Sequence, residues 1–183
     1  MTTTTQLGRL TGEYVLDATQ TRLGFATRQT FSKVRGQFDD FDGRVHLDGD
    51  DPSRSSAQIA IRTSSIQTRN GRRDDHLRRS FLNVARHPTI TFTSTRIEQV
   101  DETRFRVRGD LTIRSVIKAI TVDLALTSAD EDRVTFEGTA TIDRRPWGVV
   151  WSTAVEGGGA VVSNKVALEF DVVAVRQPPT AGG

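Results

Sequence analysis

Three histidines and a pair of aspartates are the side chains of this sequence best suited to chemistry. His76 and His87 are eleven positions apart and His46 is remote, so no H-x-x-x-H or H-E-x-x-H spacing offers a zinc or iron site. Asp74 and Asp75 precede His76, an arrangement in which a carboxylate could orient an imidazole as a general base. The chain has no Cys and no G-x-S-x-G motif to supply a nucleophile. The pattern predicts no metal, no cofactor and no catalytic residues.

Composition and charge argue against a nucleic-acid partner and against a membrane-spanning protein. Lys and Arg number 25 against 23 Asp and Glu, and no block of five like charges occurs, so we expect no nucleic-acid partner. No run approaches the 18 apolar residues of a membrane span, and no secretory signal is visible, which predicts a cytoplasmic protein. The glycines at 157–159 resemble a phosphate loop in composition only, since no Lys-Ser/Thr follows them. We expect a hairpin tip there.

The elements that must position any site are strands, because apolar and polar residues alternate along most of the chain. From Phe105 to Ile113 the alternation has no exception, which is typical of a strand with one face in water. Two or three further strands are predicted within 23–27 and 34–47, with a β-bulge at Asp39 and Asp40 where the apolar parity shifts. The six clearest alternating runs are 57–61, 90–92, 105–113, 120–126, 134–142 and 166–174.

One segment departs from this alternation. Between Arg72 and Asn83, Leu77 and Phe81 stand four apart among charged residues, which predicts a short amphipathic helix that ends before Pro88. Eight or nine antiparallel strands with one helical crossover indicate a sandwich or a barrel in a single domain, residues 13–176, with flexible termini at 1–12 and 177–183. The alternation alone does not choose between the two. An eight-stranded barrel can hold a small ligand, whereas a sandwich interdigitates its two inner faces.

A series of motifs indicates which of the two folds forms. They are Val34-Arg-Gly-Gln-Phe38, Ser65-Ile-Gln-Thr-Arg-Asn70, Arg73-Asp-Asp-His-Leu77, Phe81, Pro88-Thr-Ile-Thr-Phe-Thr-Ser94 and Trp147-Gly148. In the order and spacing of these motifs, the sequence from about Tyr14 to Val175 resembles the YceI-like family of polyisoprenoid-binding proteins. The resemblance implies an eight-stranded, lipocalin-like antiparallel β-barrel that carries or sequesters a long-chain polyisoprenoid or isoprenoid-quinone-like lipid in its interior, without enzyme activity.

The resemblance and the alternation together predict which side chains bind the lipid. The predicted interior residues are Phe25, Ile61, Phe92, Leu111, Phe136 and Phe170, and those nearer the opening are Phe38, Phe81 and Trp147. Arg73 and His76 are expected to hold the head group, since Arg presents a planar set of donors and neutral His can donate or accept. The alternative for Arg73 is a structural pair with Asp74 that holds the crossover against the barrel rim.

Two other functions stay open on the sequence alone. One is a hydrolase or isomerase that uses Asp74 and His76 on a lipid-like substrate. The other is a barrel filled by its own side chains, which eight strands permit, acting as a protein-interaction module through its surface. The oligomeric state is also open, with a homodimer among the arrangements considered.

Overall fold

Antiparallel strands account for most of the described residues. The computed structural model describes residues 7–29, 32–149 and 163–178, so the glycines at 157–159 lie outside the described residues. The strands of the described part are β1 (Gly12–Leu16), β2 (Arg22–Gln29), β3 (Ser32–Phe38), β4 (Phe41–Leu47), β5 (Ser56–Arg62), β6 (Ile66–Gln67), β7 (Thr89–Gln99), β8 (Arg104–Ile113), β9 (Val116–Ala129), β10 (Arg133–Asp143) and β11 (Lys165–Arg176).

These strands close into an eight-stranded barrel. Strands β1 and β2 both pair with β11, at 174–176 and 167–171, and so act as one bent strand. Strands β3 and β4 form a second bent strand, in which β3 pairs with β2 and β4 pairs with β1. Strands β5 and β6 form a third, in which β6 pairs with β3 and β5 pairs with β4. Strands β7 to β11 follow as a simple meander. The predicted lipocalin-like antiparallel barrel is confirmed, and a sandwich is not formed.

The parity shift at Asp39 and Asp40 has a different cause from the one predicted. These residues form a bend between β3 and β4 rather than a one-residue bulge. Asp39 N donates to Ser65 O at 3.2 Å and Arg62 N donates to Asp40 O at 2.9 Å, so the bend is tied to the neighbouring bent strand. The shift in parity marks the point where the strand changes its pairing partners.

Two β-bulges occur elsewhere in the described residues, one in β7 and one in β9. The register shifts at Thr95 and at Thr127, each of which is an extra residue without a Cα partner across the ladder. Both hydroxyls donate to the backbone of the facing strand, to Arg108 O at 3.2 Å and to Thr135 O at 3.1 Å. Bulges bend a strand and raise its twist, which a sheet needs to close on itself.

The predicted crossover helix forms across one end of the barrel. Asn70 caps the N-terminus of helix α1 (Gly71–His76), since its side chain accepts from Arg73 N, and a π-helical turn (Leu77–Phe81) continues the helix. Buried Leu77 and Phe81 pack against Ile66 and cover the barrel at what we call the crossover end. No helix among the described residues is long and apolar enough to cross a bilayer. The described part of the chain also contains three 3-10 turns: Pro52–Arg54, Thr63–Ser65 and Arg145–Trp147.

The start of the described chain packs against the opposite end of the barrel. Leu7 is only 6% exposed, although the sequence predicted a flexible segment through residue 12. The Arg176 guanidinium donates to Arg9 O and Thr11 O, both at 2.8 Å, and lies over the Tyr14 ring. Hydrogen bonds from the Arg176 guanidinium to backbone carbonyls therefore tie this segment to the barrel.

Candidate functional site

The barrel encloses an apolar cavity of about 320 Å³. Every one of the eleven described strands contributes side chains to its wall. Along β8, inward positions from Phe105 to Ile113 line it, a distance of about 27 Å along the strand at ~3.4 Å per residue. With a strand tilt of about 40°, the cavity extends through roughly 20 Å of barrel height. The barrel is therefore not filled by its own side chains.

Inward-facing glycines provide part of this space. A Cβ atom on Gly109 would lie 2.4 Å from Phe92 Cζ, and one on Gly36 would lie 2.4 Å from Phe25 Cζ. In both places a phenyl ring from the neighbouring strand occupies the volume that a side chain would otherwise take. The rings are thus accommodated in the wall, and the centre of the barrel stays open.

Four polar side chains interrupt the apolar lining in the described residues: Thr27, Ser55, Arg73 and Arg144. Thr27 Oγ1 donates to Lys165 O at 3.1 Å, and Ser55 Oγ accepts from the backbone of Asp48 at 2.9 Å. These two hydroxyls therefore satisfy backbone groups of the wall. The two arginines are the charged groups of the lining, and both lie at the crossover end.

Arg73 is fixed along one edge of its guanidinium. Its Nε donates to Thr68 Oγ1 at 2.8 Å and its Nη2 to Thr68 O at 2.9 Å. The Thr68 hydroxyl in turn donates to Asp74 Oδ1 at 2.5 Å, so buried Thr68 links the arginine to the aspartate. Within the described residues, Arg73 Nη1 has no hydrogen-bond partner. The side chain is thus held in position and keeps donors for a ligand.

Arg144 is the second cation of the cavity, and the sequence did not predict it as a site residue. It is 8% exposed, and its Nε and Nη1 donate to Ser163 O at 3.1 Å and Val149 O at 2.6 Å. Its Cζ lies 5.9 Å from the centroid of the Phe81 ring. Burial lowers the pKa of the Arg144 guanidinium, yet an arginine remains charged at neutral pH. The crossover end therefore presents two positioned cations to an apolar space.

Asp143, which precedes Arg144 in the sequence, forms an ion pair with Arg145 at the surface. Arg145 Nη2 lies 2.6 Å from Asp143 Oδ2, and Arg145 Nε lies 3.0 Å from Asp143 Oδ1. These hydrogen bonds lower the pKa of Asp143 to about 2. Asp143 thus stays ionised at neutral pH and forms a bidentate pair outside the cavity lining.

Nine of the eleven side chains predicted to bind the lipid line this cavity: Phe25, Phe38, Ile61, Arg73, Phe81, Phe92, Leu111, Phe136 and Phe170. The other two lie outside its lining. The His76 ring packs against Phe81 with 5.7 Å between centroids. Trp147 is 4% exposed, and its Nε1 donates to Leu111 O at 2.9 Å. Trp147 has the burial and hydrogen bonding of a core residue.

The residues considered for an enzyme are also outside the cavity lining. Asp74 is 5% exposed, and its Oδ1 accepts from both the backbone N and the hydroxyl of Thr68. From helix α1 and the turn after it, the side chains on the cavity wall are Arg73, Leu77 and Phe81. Among the described residues, no group of three His, Asp or Glu side chains could hold a metal ion. The wall of the cavity therefore carries neither Asp74 nor His76.

Comparison with known proteins places this barrel in a family. Residues 14–174 match the YceI-like domain. A UPF0312 protein of Pseudomonas aeruginosa (strain LESB58) is 34% identical over 153 residues, which cover 80% of this chain and 76% of that protein. A UPF0312 protein of Pectobacterium carotovorum has the same identity and the same coverage.

Solved structures share the fold at lower sequence identity. BcnA of Burkholderia cenocepacia superposes with a TM-score of 0.79 at 22% identity, covering 86% of this chain and 98% of that one. A polyisoprenoid binding domain from Saccharophagus degradans, implicated in plant cell wall breakdown, gives a TM-score of 0.75 at 20% identity, covering 90% and 98%. The motifs from Val34 to Gly148, the closed barrel and the match over 14–174 agree, and the chain belongs to the YceI-like family.

Proposed function

We propose that this protein binds a long-chain polyisoprenoid or isoprenoid-quinone-like lipid inside the barrel, for transport or sequestration, and performs no chemistry on it. The observation that carries the proposal is the cavity, whose lining is apolar from one end of the barrel to the other except for four polar side chains in its described part. The polyisoprenoid binding domain from Saccharophagus degradans, which has the same fold, favours this ligand class.

The affinity of such a ligand would come from apolar burial. At about −0.3 kcal/mol per heavy atom, a chain of roughly 40 carbons reaches about −12 kcal/mol, near a nanomolar Kd. Polar groups at one end would add orientation rather than most of the binding free energy. A flexible hydrocarbon with one polar end therefore fits the lining better than a compact polar metabolite does.

Organic extraction of the purified protein tests the proposal directly. We expect mass spectrometry of the extract to identify a prenyl lipid near one equivalent per chain. The extracted protein should then bind prenols and prenylated quinones again in a titration. A lipid-free extract, together with no binding in the titration, would refute the proposed function.

The head group is proposed to lie at the crossover end, between Arg73 and Arg144. These two side chains are the cations of the described lining, and the aliphatic and aromatic wall offers a phosphate or quinone oxygen few other donors. Guanidinium groups bind such oxygens with planar, charge-assisted hydrogen bonds. This arrangement would leave the prenyl tail in the apolar body of the barrel.

The Arg73→Ala variant is expected to weaken a prenyl phosphate about tenfold to hundredfold, since hydrogen bonds to a charged group contribute roughly 1.5–3 kcal/mol. The uncharged prenol of the same length should lose less than about threefold, because its affinity is apolar. Some thermal stability should also be lost, since Arg73 donates twice to Thr68. Isothermal titration with both ligands and a melting curve measure these effects.

Arg78→Ala is the matched control for this variant. Arg78 lies in the same crossover and donates to Ser64 O at 2.8 Å and Ile66 O at 3.1 Å, but it is not in the cavity lining. Its loss should lower the melting temperature and leave both affinities unchanged. If Arg73→Ala weakens phosphate and prenol equally, Arg73 has a structural role and the assignment is wrong.

A further inference from the structure

The two ends of the barrel carry opposite charge. The described connections at the crossover end, residues 68–88, 114–115 and 144–149, contain nine arginines and two aspartates. The connections at the opposite end, residues 48–55, 100–103 and 130–132, contain eight acidic residues and one arginine. With a formal net charge of only +2, the protein has a strong charge asymmetry along its barrel axis.

The acidic end has a structural explanation in its turns. Asp48 Oδ1 accepts from two backbone N–H groups within its loop, at 3.1 and 3.0 Å. Asp101 and Asp130 each accept two backbone hydrogen bonds in the same way, at distances of 2.8 to 3.0 Å. Aspartate is favoured in turns for this local bonding. These three carboxylates therefore have a structural role in the turns of this end.

The basic end has no such explanation. We define it by six cations that are exposed and that form no ion pair within the described residues: Arg28, Lys33, Arg69, Arg72, Arg79 and Arg86. Arginine and lysine are not turn-forming residues, and their mutual repulsion disfavours the folded state. A cluster of unpaired cations at one end therefore indicates an anionic partner.

We propose that the basic end docks on the surface of an anionic lipid bilayer. Clusters of four to eight cations are typical of surfaces that bind anionic head groups. Ile117, which is 61% exposed, lies at the same end beside the β8–β9 turn and offers an apolar contact with the interface. The crossover carries Arg72 and Arg79 on its surface while Leu77, in the same segment, lines the cavity. Docking would place this part of the cavity wall next to the lipid.

Vesicle co-sedimentation tests the docking with two matched variants. R69Q/R72Q/R79Q/R86Q removes four cations from the basic end, whereas R44Q/R54Q/R106Q/R108Q removes four exposed arginines from elsewhere, and both change the formal net charge from +2 to −2. The unmodified protein should bind vesicles containing phosphatidylglycerol, more weakly as salt is added, and should not bind phosphatidylcholine alone. At roughly fivefold per cation, the first variant should lose several hundredfold in binding and the second far less.

The orientation of the docked protein can be read from two single-cysteine variants, because the chain has no cysteine of its own. The exposed apolar residues Ile117 and Val100 lie at opposite ends of the barrel. A polarity-sensitive dye on Ile117→Cys should shift to the blue with anionic vesicles, and the same dye on Val100→Cys should not. Equal binding losses in the two arginine variants, a blue shift only at Val100→Cys, or no binding to anionic vesicles at low salt would overturn the proposal. None of these measurements depends on the ligand in the cavity, so the proposed lipid binding can fail or succeed separately.

Discussion

The Ala57→Phe variant is expected to lose about a hundredfold to a thousandfold in affinity for a prenol of about 40 carbons and to keep its affinity for a 15-carbon prenol. Ala57 lines the cavity at the end away from the crossover, near Val45, Leu47 and Pro52. A phenyl ring there would displace roughly one five-carbon isoprene unit of a ligand that fills the cavity. At ~0.8 kcal/mol per CH₂ group returned to water, this displacement costs about 4 kcal/mol.

Ala60→Phe provides the control on the same strand. Ala60 is in β5 at the opposite parity, outside the cavity lining, and faces Asp42 and Thr91 across the ladder. Its substitution should leave both affinities within about threefold of the unmodified protein. Titrating the two prenols into both variants measures the effect of ligand length. Equal weakening of the long and the short prenol by Ala57→Phe would show that the tail does not extend to this end.

The strands were the most predictable part of the fold, because a half-buried strand repeats its apolar residues with period two. In β8, from Phe105 to Ile113, the side chains alternate between the barrel interior and the outer surface as predicted. Val107 and Leu111 are buried, and Arg106 and Arg108 are exposed. A slip of one residue would expose the whole apolar face, so the sequence specifies the register strongly. The choice of a barrel required the family resemblance in addition.

The bulges could be predicted only where apolar residues flank them on both sides. In β7, Ile90 and Phe92 share one parity and Ile97 has the other, so the sequence contained a signal for the bulge at Thr95. In β9, the residues after Thr127 are Ser128 and Ala129, which give no parity to compare. The register of the β9–β10 hairpin, in which Thr135 faces Ser128 and Phe136 faces Leu126, fixes that bulge.

Seven of the nine predicted residues that line the cavity lie on strands, and Arg73 and Phe81 lie on the crossover. Arg144 follows Ile142 at the inward parity of β10, so a charged residue in the inward register was the signal for this cation. His76 lies at the end of helix α1 and Trp147 in a 3-10 turn, where the period-two alternation of the strands does not apply. The link from Arg73 to Asp74 also required the structure, because it passes through Thr68 in the preceding connection.

Trp147→Ala is expected to be strongly destabilising. Trp147 belongs to a buried apolar cluster that contains Leu111 and Ile120, and its side chain is 4% exposed. Its removal leaves a cavity and takes away the donor to Leu111 O, which should lower the free energy of unfolding by about 3–5 kcal/mol. The free energy of unfolding of a typical protein is roughly 5–15 kcal/mol in total. For a chain of this length, the melting temperature should fall by about 6–20 °C. A calorimetric melting curve measures the fall.

Trp147→Phe separates a structural role from a role in ligand binding. This variant keeps an aromatic ring but loses the Nε1 donor to Leu111 O, so its free energy of unfolding should fall by about 1–3 kcal/mol. It should remain folded at room temperature. Because Trp147 lies outside the cavity lining, the affinity of the Trp147→Phe variant for a prenol should stay within about threefold of that of the unmodified protein. Phe170→Leu, which shortens a cavity-lining side chain, should change that affinity more. A tenfold loss of prenol affinity in Trp147→Phe at an unchanged melting temperature would instead place Trp147 against the ligand, as the sequence predicted.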